Sequence, residues 1–303
     1  MITPPYLQPG DRVGVLALAS HVEYSALQEG LRIMREDWQL EVVEGQTLHL
    51  QHHQFAGTDD QRAHDFQTML DDPSIKAIFS VRGGYGTSRI IDKIQFDTLK
   101  QNPKWIVGFS DITVAHCHLH RLGVESIHSI MPKQFGQSGY EESLKTLKQA
   151  LFGEKLFHVA STHELNRKGR CEGQVVGGNL CLLAHLIGSK SAPDTRRKIL
   201  FIEDVDEYLY NLDRLMIQLK RAKKLQQLAG LIVGQFTHLK DNDTVPFGKT
   251  AYEIIAEHTA EFHYPVCYDF PVGHDTQNVA MLIGRRASLN VTDNFSLLIF
   301  EEI

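Results

Sequence analysis

Residues 105–111 read WIVGFSD: an apolar run from Trp105 to Phe109, a glycine at 108, and Ser110 directly before a helical pattern that Asp111 begins. This strand–turn–helix step decides the fold because it is repeated on both sides. Val13–Leu18, Ile75–Val81 and Val124–Ile130 are further β-rich apolar runs. Glu23–Arg35, Asp59–Leu70, Thr87–Ile94 and Ile112–Leu122 lie between the runs and carry apolar residues at helical spacing. Such alternation specifies an α/β domain with a parallel sheet. Thr58 or Asp59 is placed to cap the second helix, and Asp72-Pro73 to end it.

Beyond a further helix at Tyr140–Leu151 the chain turns polar and loses periodicity up to about Gly169. The domain boundary is expected there, near 155–172. That gives an N-terminal α/β domain over 1–160, a linker at 161–171 and a smaller C-terminal α/β domain over 172–303. In the latter, Ile199–Ile202 and Leu228–Val233 read as strands, and Tyr208–Lys220 and Thr250–Thr259 as helices. Three strands near Val279–Ile283, Ala287–Val291 and Leu297–Phe300 give it a β-rich end.

The net charge is −6 with no long block of Lys and Arg, which argues against a nucleic-acid partner. No signal pattern opens the chain and no apolar run could span a bilayer, so a cytoplasmic protein without a membrane partner is expected. The four cysteines form no C-x-x-C pair, so buried free thiols are expected rather than a zinc knuckle or disulfides. His116 and His120 share a helix face and could hold a metal between them; His118 points elsewhere. No metal site is assigned on that spacing.

A serine at a strand-to-helix turn exposes its hydroxyl above the sheet, and the next residue's N–H can stabilise an oxyanion. Ser110 fits this, although Ile112 stands where G-x-S-x-G has its second glycine; helix N-capping is the alternative reading. Arg82-Gly83-Gly84-Tyr85-Gly86 follows another apolar run, and its glycines could aim amides at an anion or simply make a tight turn. It matches neither G-x-G-x-x-G nor a P-loop, which disfavours a nucleotide. Glu203 and Asp204 end the run Phe201-Ile202, with Asp206 and Glu207 close behind, and the sequence does not choose among the four acids. His274, in the turn-rich stretch Pro271 to Asp275, has the pKa range of a general base. Serine, acid and histidine then follow in the order also found in α/β-hydrolases.

With these residues in view the chain resembles the serine L,D-carboxypeptidase, or muramoyl-tetrapeptide carboxypeptidase, family over nearly its whole length. The blocks that carry the likeness are GDRVGVLALAS (10–20), VRGGYGTSRIID (81–92), VGFSDITVAH (107–116), VVGGNLCLLAHLIGS (175–189), LFIEDVDEYLYNLDRLMIQL (200–219) and FPVGHDTQNVAMLIG (270–284). The resemblance implies Ser110 as nucleophile, Glu203 and His274 as its partners, and backbone amides of Asp111 and of Gly83 or Gly84 as oxyanion donors. It also implies an active site in the cleft between the two domains. The substrate would be a murein tetrapeptide that loses its terminal D-alanine in cell-wall recycling, with no metal or organic cofactor. One departure is His128-Ser129-Ile130-Met131, where the family usually has His-Gly-Pro; it bears on loop shape and substrate fit.

Arg82 and Arg89 are candidates for holding the substrate carboxylate, but each could equally serve the turn, and neither is assigned. Diaminopimelate and lysine at the third peptide position are not distinguished. A homodimer is expected as the commonest default. Two other readings remain: a related immunity-type peptidase that cleaves peptidyl or aminoacyl nucleotides, and a non-catalytic protein that binds a small ligand. The first would need exposed aromatic loop residues, and Trp38 and Trp105 both fall in or beside regular structure. The second would have no need of Ser110, Glu203 and His274 together.

Overall fold

The apolar runs of the first half become one sheet in the computed structural model of the chain, which describes residues 1–302. Arg12–Leu16 (β1), Glu41–Glu44 (β2), Ile75–Ser80 (β3), Trp105–Gly108 (β4) and Ser126–His128 (β5) are parallel, in the order β2-β1-β3-β4-β5. Strands β3, β4 and β5 are buried along almost their whole length, which is why they read as continuous apolar runs. Strand β2 escapes a sequence reading because EVVE is short, half-charged and at the sheet edge. Helices Gln28–Arg32 (α1), Asp59–Asp71 (α2), Thr87–Ile90 (α3), Thr113–Leu122 (α4) and Glu141–Phe152 (α5) belong to the same unit. The expected cap of α2 is present: Thr58 accepts from the Gln61 amide, and the Gln61 side chain accepts from the Thr58 amide. The segment 23–35 is broken, with a 3₁₀ turn before α1 and a π turn, Ile33–Asp37, after it.

The sixth strand of this sheet comes from far along the chain. Met281–Ile283, β11 in chain order, pairs antiparallel with β5 through Met281↔His128, Leu282↔Ile127 and Ile283↔Ser126. The sequence reading placed this run in the C-terminal domain. It lies instead in the first unit, which consists of Met1–Glu154 and Val279–Ile283, because its buried MLI triplet covers the β5 edge. The chain passes to the second unit at Lys155, the near edge of the expected boundary. No separate linker occupies 161–171, since Phe157–Ser161 (β6) and Gly169–Asn179 (β7) are strands of the second unit. Strand β6 was unreadable because its polarity is inverted: His158 and Ala160 are buried, whereas Phe157 and Val159 face outward.

The second sheet also holds Ile199–Val205 (β8), Gly230–Thr237 (β9), Val266–Cys267 (β10), Arg286–Val291 (β12) and Phe295–Phe300 (β13). Its order is β10-β9-β8-β7-β12-β13-β6, parallel from β10 to β7 and antiparallel from there to β6. Helices Leu180–His185 (α6), Leu209–Arg221 (α7) and Ala251–Thr259 (α8) accompany it. The fold class is therefore the expected one: mixed α/β, with a mostly parallel N-terminal sheet and a β-rich C-terminal end. Among the described residues no helix is long and apolar enough to cross a membrane.

Candidate active site

In a parallel sheet of order 2-1-3-4-5 the direction of winding reverses between β1 and β3, and ligands bind outside the carboxyl ends of the strands near that point. Three segments meet there: Ser20 after β1, Arg82–Gly86 after β3, and Ser110 after β4. The Ser20 amide donates to the Gly83 carbonyl at 3.2 Å, and the Tyr85 amide reaches Ser20 Oγ at 3.4 Å. A Cβ on Gly83 would stand 2.8 Å from Ser110 Cβ, 2.9 Å from Ser110 Oγ and 3.3 Å from the Asp111 amide nitrogen. Gly84 is constrained differently, by a φ of +95° and by Ser20 Oγ 2.2 Å from where its Cβ would be. The glycine turn and the serine thus pack together, and only a residue without a side chain lets the turn approach so closely.

Ser110 itself has φ +62°, a left-handed conformation that a residue with a Cβ holds only when its surroundings impose it. Its hydroxyl is not a helix cap, since no capping hydrogen bond is made at this end, so the capping alternative falls away. Three contacts impose the turn. Asp111, buried, accepts the Thr87 amide at 2.7 Å and so ties the serine loop to the first turn of α3. His116 Nε2 lies 2.8 Å from the Gly108 carbonyl, and its Nδ1 is 2.8 Å from Ser126 Oγ. The Gly108 carbonyl only accepts, so Nε2 carries the proton and Nδ1 takes the hydroxyl of Ser126. Burial pushes the His116 pKa down to about 4, against the pull of the Gly108 bond, and the ring is neutral at pH 7. The Ser129 amide donates to the same Gly108 carbonyl at 3.2 Å, so the segment that departs from the family pattern helps to hold the serine turn.

The arginines separate by partner. Arg62, fully buried, donates to the carbonyls of Leu18 (2.6 Å) and Gly86 (3.0 Å) and pairs with Asp59 at 2.5 Å, joining the loops after β1 and β3. Arg89 is bound twice to Asp59, through Nε at 2.9 Å and Nη2 at 2.8 Å. Arg82 donates one N–H to the His21 carbonyl at 2.6 Å, one of the five that a guanidinium carries.

In the second unit Glu203 and His274 are brought together across 71 residues. His274 Nδ1 lies 2.6 Å from Glu203 Oε2; the carboxylate is fully buried and the imidazole is 16 % exposed. With Nδ1–H donating to Glu203, the neutral ring presents Nε2 as an acceptor, the tautomer a general base needs. Burial lowers the His274 pKa, but the charge and hydrogen bond of Glu203, with Asp204 adding to them, raise it above the ordinary value. The pairing of β8 with β9 slips here, from Ile202↔Val233 to Asp204↔Phe236, so that Glu203 sits at a bulge. Gly234 and Gly273 close on it, each leaving only 3.2–3.3 Å between a built Cβ and Glu203 Cβ.

The four acids of this segment are distinguished by their partners. Glu203 goes to His274. Asp204 accepts from Asn179 Nδ2 at 2.7 Å, Asp206 pairs with Lys240 at 2.7 Å, and Glu207 accepts from Asn211 at 2.6 Å. Of the residues named from sequence, Ser110, Asp111, Gly83 and Gly84 gather in the first unit, and Glu203 and His274 pair in the second. Sequence reasoning gave no supporting role to Ser20, Arg62, His116 or Asn179. Their tasks depend on carbonyls and side chains distant in the chain, and no local motif marks them.

Comparison with known proteins gives the family and the fold. A family model described as the LD-carboxypeptidase N-terminal domain matches residues 13–129, and one described as the LD-carboxypeptidase C-terminal domain matches residues 172–289. The chain is 33% identical over 306 residues to a Bacillus subtilis protein called "Probable murein peptide carboxypeptidase", covering 97% of this chain and 93% of that one. The crystal structure of muramoyltetrapeptide carboxypeptidase from Oxalobacter formigenes superposes with a TM-score of 0.86 at 26% identity, over 95% of this chain and 98% of that chain. The microcin C7 self-immunity protein MccF of Escherichia coli is 24% identical over 82% of this chain and 80% of its own length. A structure of MccF with aspartyl sulfamoyl adenosine shares the fold, at a TM-score of 0.88, 20% identity and 99% coverage of both chains.

Proposed function

The chain belongs to the LD-carboxypeptidase family of serine-type peptidases, and from that premise we propose that it removes the terminal D-alanine of murein tetrapeptides in cell-wall recycling. The observation that carries the proposal is the buried 2.6 Å bond between His274 and Glu203, which supplies an oriented base; the strained, glycine-packed Ser110 supports it as the nucleophile.

In the proposed reaction His274 Nε2 takes the proton of Ser110 as Oγ adds to the carbonyl carbon of the L,D peptide bond. Glu203 stabilises the imidazolium that forms. The negative oxygen of the tetrahedral intermediate is met by the amides of Asp111 and of Gly83 or Gly84, each worth about 3 kcal/mol by analogy with other oxyanion holes. His274 then returns the proton to the leaving nitrogen, the C–N bond breaks, and D-alanine departs. Water, deprotonated by the same imidazole, hydrolyses the ester on Ser110. Arg82, with four N–H donors beyond its bond to His21, suits the substrate carboxylate better than Arg89, which Asp59 already holds twice. Cytoplasmic residence and a homodimeric state go with this proposal, the latter open to light scattering.

Ser110→Ala is the test. It is expected to abolish D-alanine release from a murein tetrapeptide, a loss of about 10⁴-fold or more, with substrate binding and thermal stability nearly unchanged. Activity that survives would remove Ser110 from the mechanism.

A second reading, cleavage of aminoacyl nucleotides, draws on one feature. Trp38 and Trp105 are buried, but Tyr208 and Tyr210 are exposed and stacked at 5.3 Å, a surface on which a base could lie. Assaying a murein tetrapeptide beside an aminoacyl sulfamoyl adenosine separates the two readings.

A further inference from the structure

We infer that Asp204 is a positioning residue for the Glu203–His274 pair, clamping the end of β8 so that Glu203 stays aimed at the imidazole. The inference deepens the peptidase reading and rests on it.

Adjacent residues on a strand send their side chains to opposite faces. Glu203 goes to His274, and Asp204 turns away into a buried place where its carboxylate takes three hydrogen bonds. Oδ1 accepts from Asn179 Nδ2 at 2.7 Å and from the Val205 amide at 2.9 Å; Oδ2 accepts from the Cys181 amide at 3.0 Å. Asn179 is itself held, since its Oδ1 accepts the Leu182 amide at 3.2 Å, and it is the β7 residue in register with Glu203. One carboxylate therefore joins β7, β8 and the start of α6. The need for such a clamp is local: the β8–β9 ladder slips at Glu203, so the regular pairing that would orient a strand residue is interrupted on that side.

The clamp also carries charge. Burial, and then the charge of Glu203, push the Asp204 pKa up to about 7 despite the hydrogen bonds it accepts. Its own charge adds to that of Glu203 in raising His274. Beside it the Cys181 thiol, whose backbone amide Asp204 accepts, is pushed up to about 11 by burial and then by the charges of Asp204 and Glu207.

Asp204→Asn keeps the size of the side chain and removes the charge. In the full-length protein, kcat for D-alanine release is expected to fall about tenfold to a hundredfold. The acid limb of kcat/KM, and the His274 ring titration followed by NMR, should both move down by about 0.5–1 pH unit. Asp204→Glu, which retains the charge, should leave the limb near its wild-type position. A fall in kcat or melting temperature with an unmoved His274 titration would show a merely structural residue and overturn the inference. Should Asp204→Asn not fold, the wild-type protein decides: an Asp204 carboxyl carbon that titrates with no response in the His274 ring overturns the inference, and a His274 shift that follows the Asp204 titration supports it. Ser110→Ala serves as the control. If it keeps activity the peptidase reading has failed, whereas if it is inactive and His274 does not respond to Asp204, only the present inference has.

Discussion

The surroundings of Ser110 and those of His274 are organised by opposite physical means. Around Ser110 the buried groups are uncharged or paired, with His116 held neutral, Asp111 bound to the Thr87 amide and Arg62 spread over two carbonyls and Asp59, and the strain lies in the backbone at φ +62°. Around His274 neither proposed catalytic residue has a positive φ, and what is buried is charge, that of Glu203 with Asp204 beside it. A nucleophile needs placing, which backbone and packing achieve. A base needs its proton affinity tuned, which only nearby charge and burial achieve.

Glu203→Gln should break the comparison most severely. It is expected to lower kcat by about 10³–10⁴-fold and to move the acid limb to lower pH, because the group that raises His274 loses its charge. A limb that stays in place would mean that Glu203 does not set the imidazole.

The stability of the two units should respond to pH with opposite signs. For His116 the folded pKa, about 4, lies below the ordinary 6.5. The folded state then binds fewer protons than the unfolded one between these values, so stability present above pH 6.5 is lost as pH falls to 4, by about 3 kcal/mol in all. Asp204 is raised from 3.8 to about 7, so its contribution is present below pH 3.8 and lost as pH rises through 7. Urea unfolding across pH 4–8, compared between wild type, His116→Gln and Asp204→Asn, checks both. The acid-side loss should shrink in the first variant, and the loss towards neutrality in the second.

Gly83→Ala sharpens the contrast on the nucleophile side. The new methyl would press on Ser110 Oγ, and kcat should fall about 10²-fold with the pH profile unmoved, since no charge changes. Gly84→Ala should act mainly on stability, costing about 1–2 kcal/mol for its positive φ. Equal losses of activity in the two variants would show that the turn acts as one unit. The smallest effect belongs to Arg89→Ala, whose exposed bond to Asp59 should contribute under about 1 kcal/mol to thermal stability.

Much of this was legible in the chain, but unevenly. Strands β3, β4 and β8, the Thr58 cap of α2 and the serine after Gly108 all announce themselves through neighbours within a few residues. Strand β6 did not, because its exposed residues are apolar and one of its buried ones is a histidine. The placement of Met281–Ile283 against β5 was equally hidden, since nothing in MLI tells which sheet edge it will cover.

By itself the sequence determined the α/β class, the presence of the main first-half strands and that of a serine turn, a group of acids and a histidine loop, because periodicity and turn chemistry act over short stretches of chain. Tertiary structure decided which acid meets His274, which of sixteen histidines holds the Gly108 carbonyl, and why Gly83 must lack a side chain. Those outcomes are set by burial and by contacts between residues remote in sequence, where the cost of an unpaired charge or a clash selects one partner among several that look alike in one dimension.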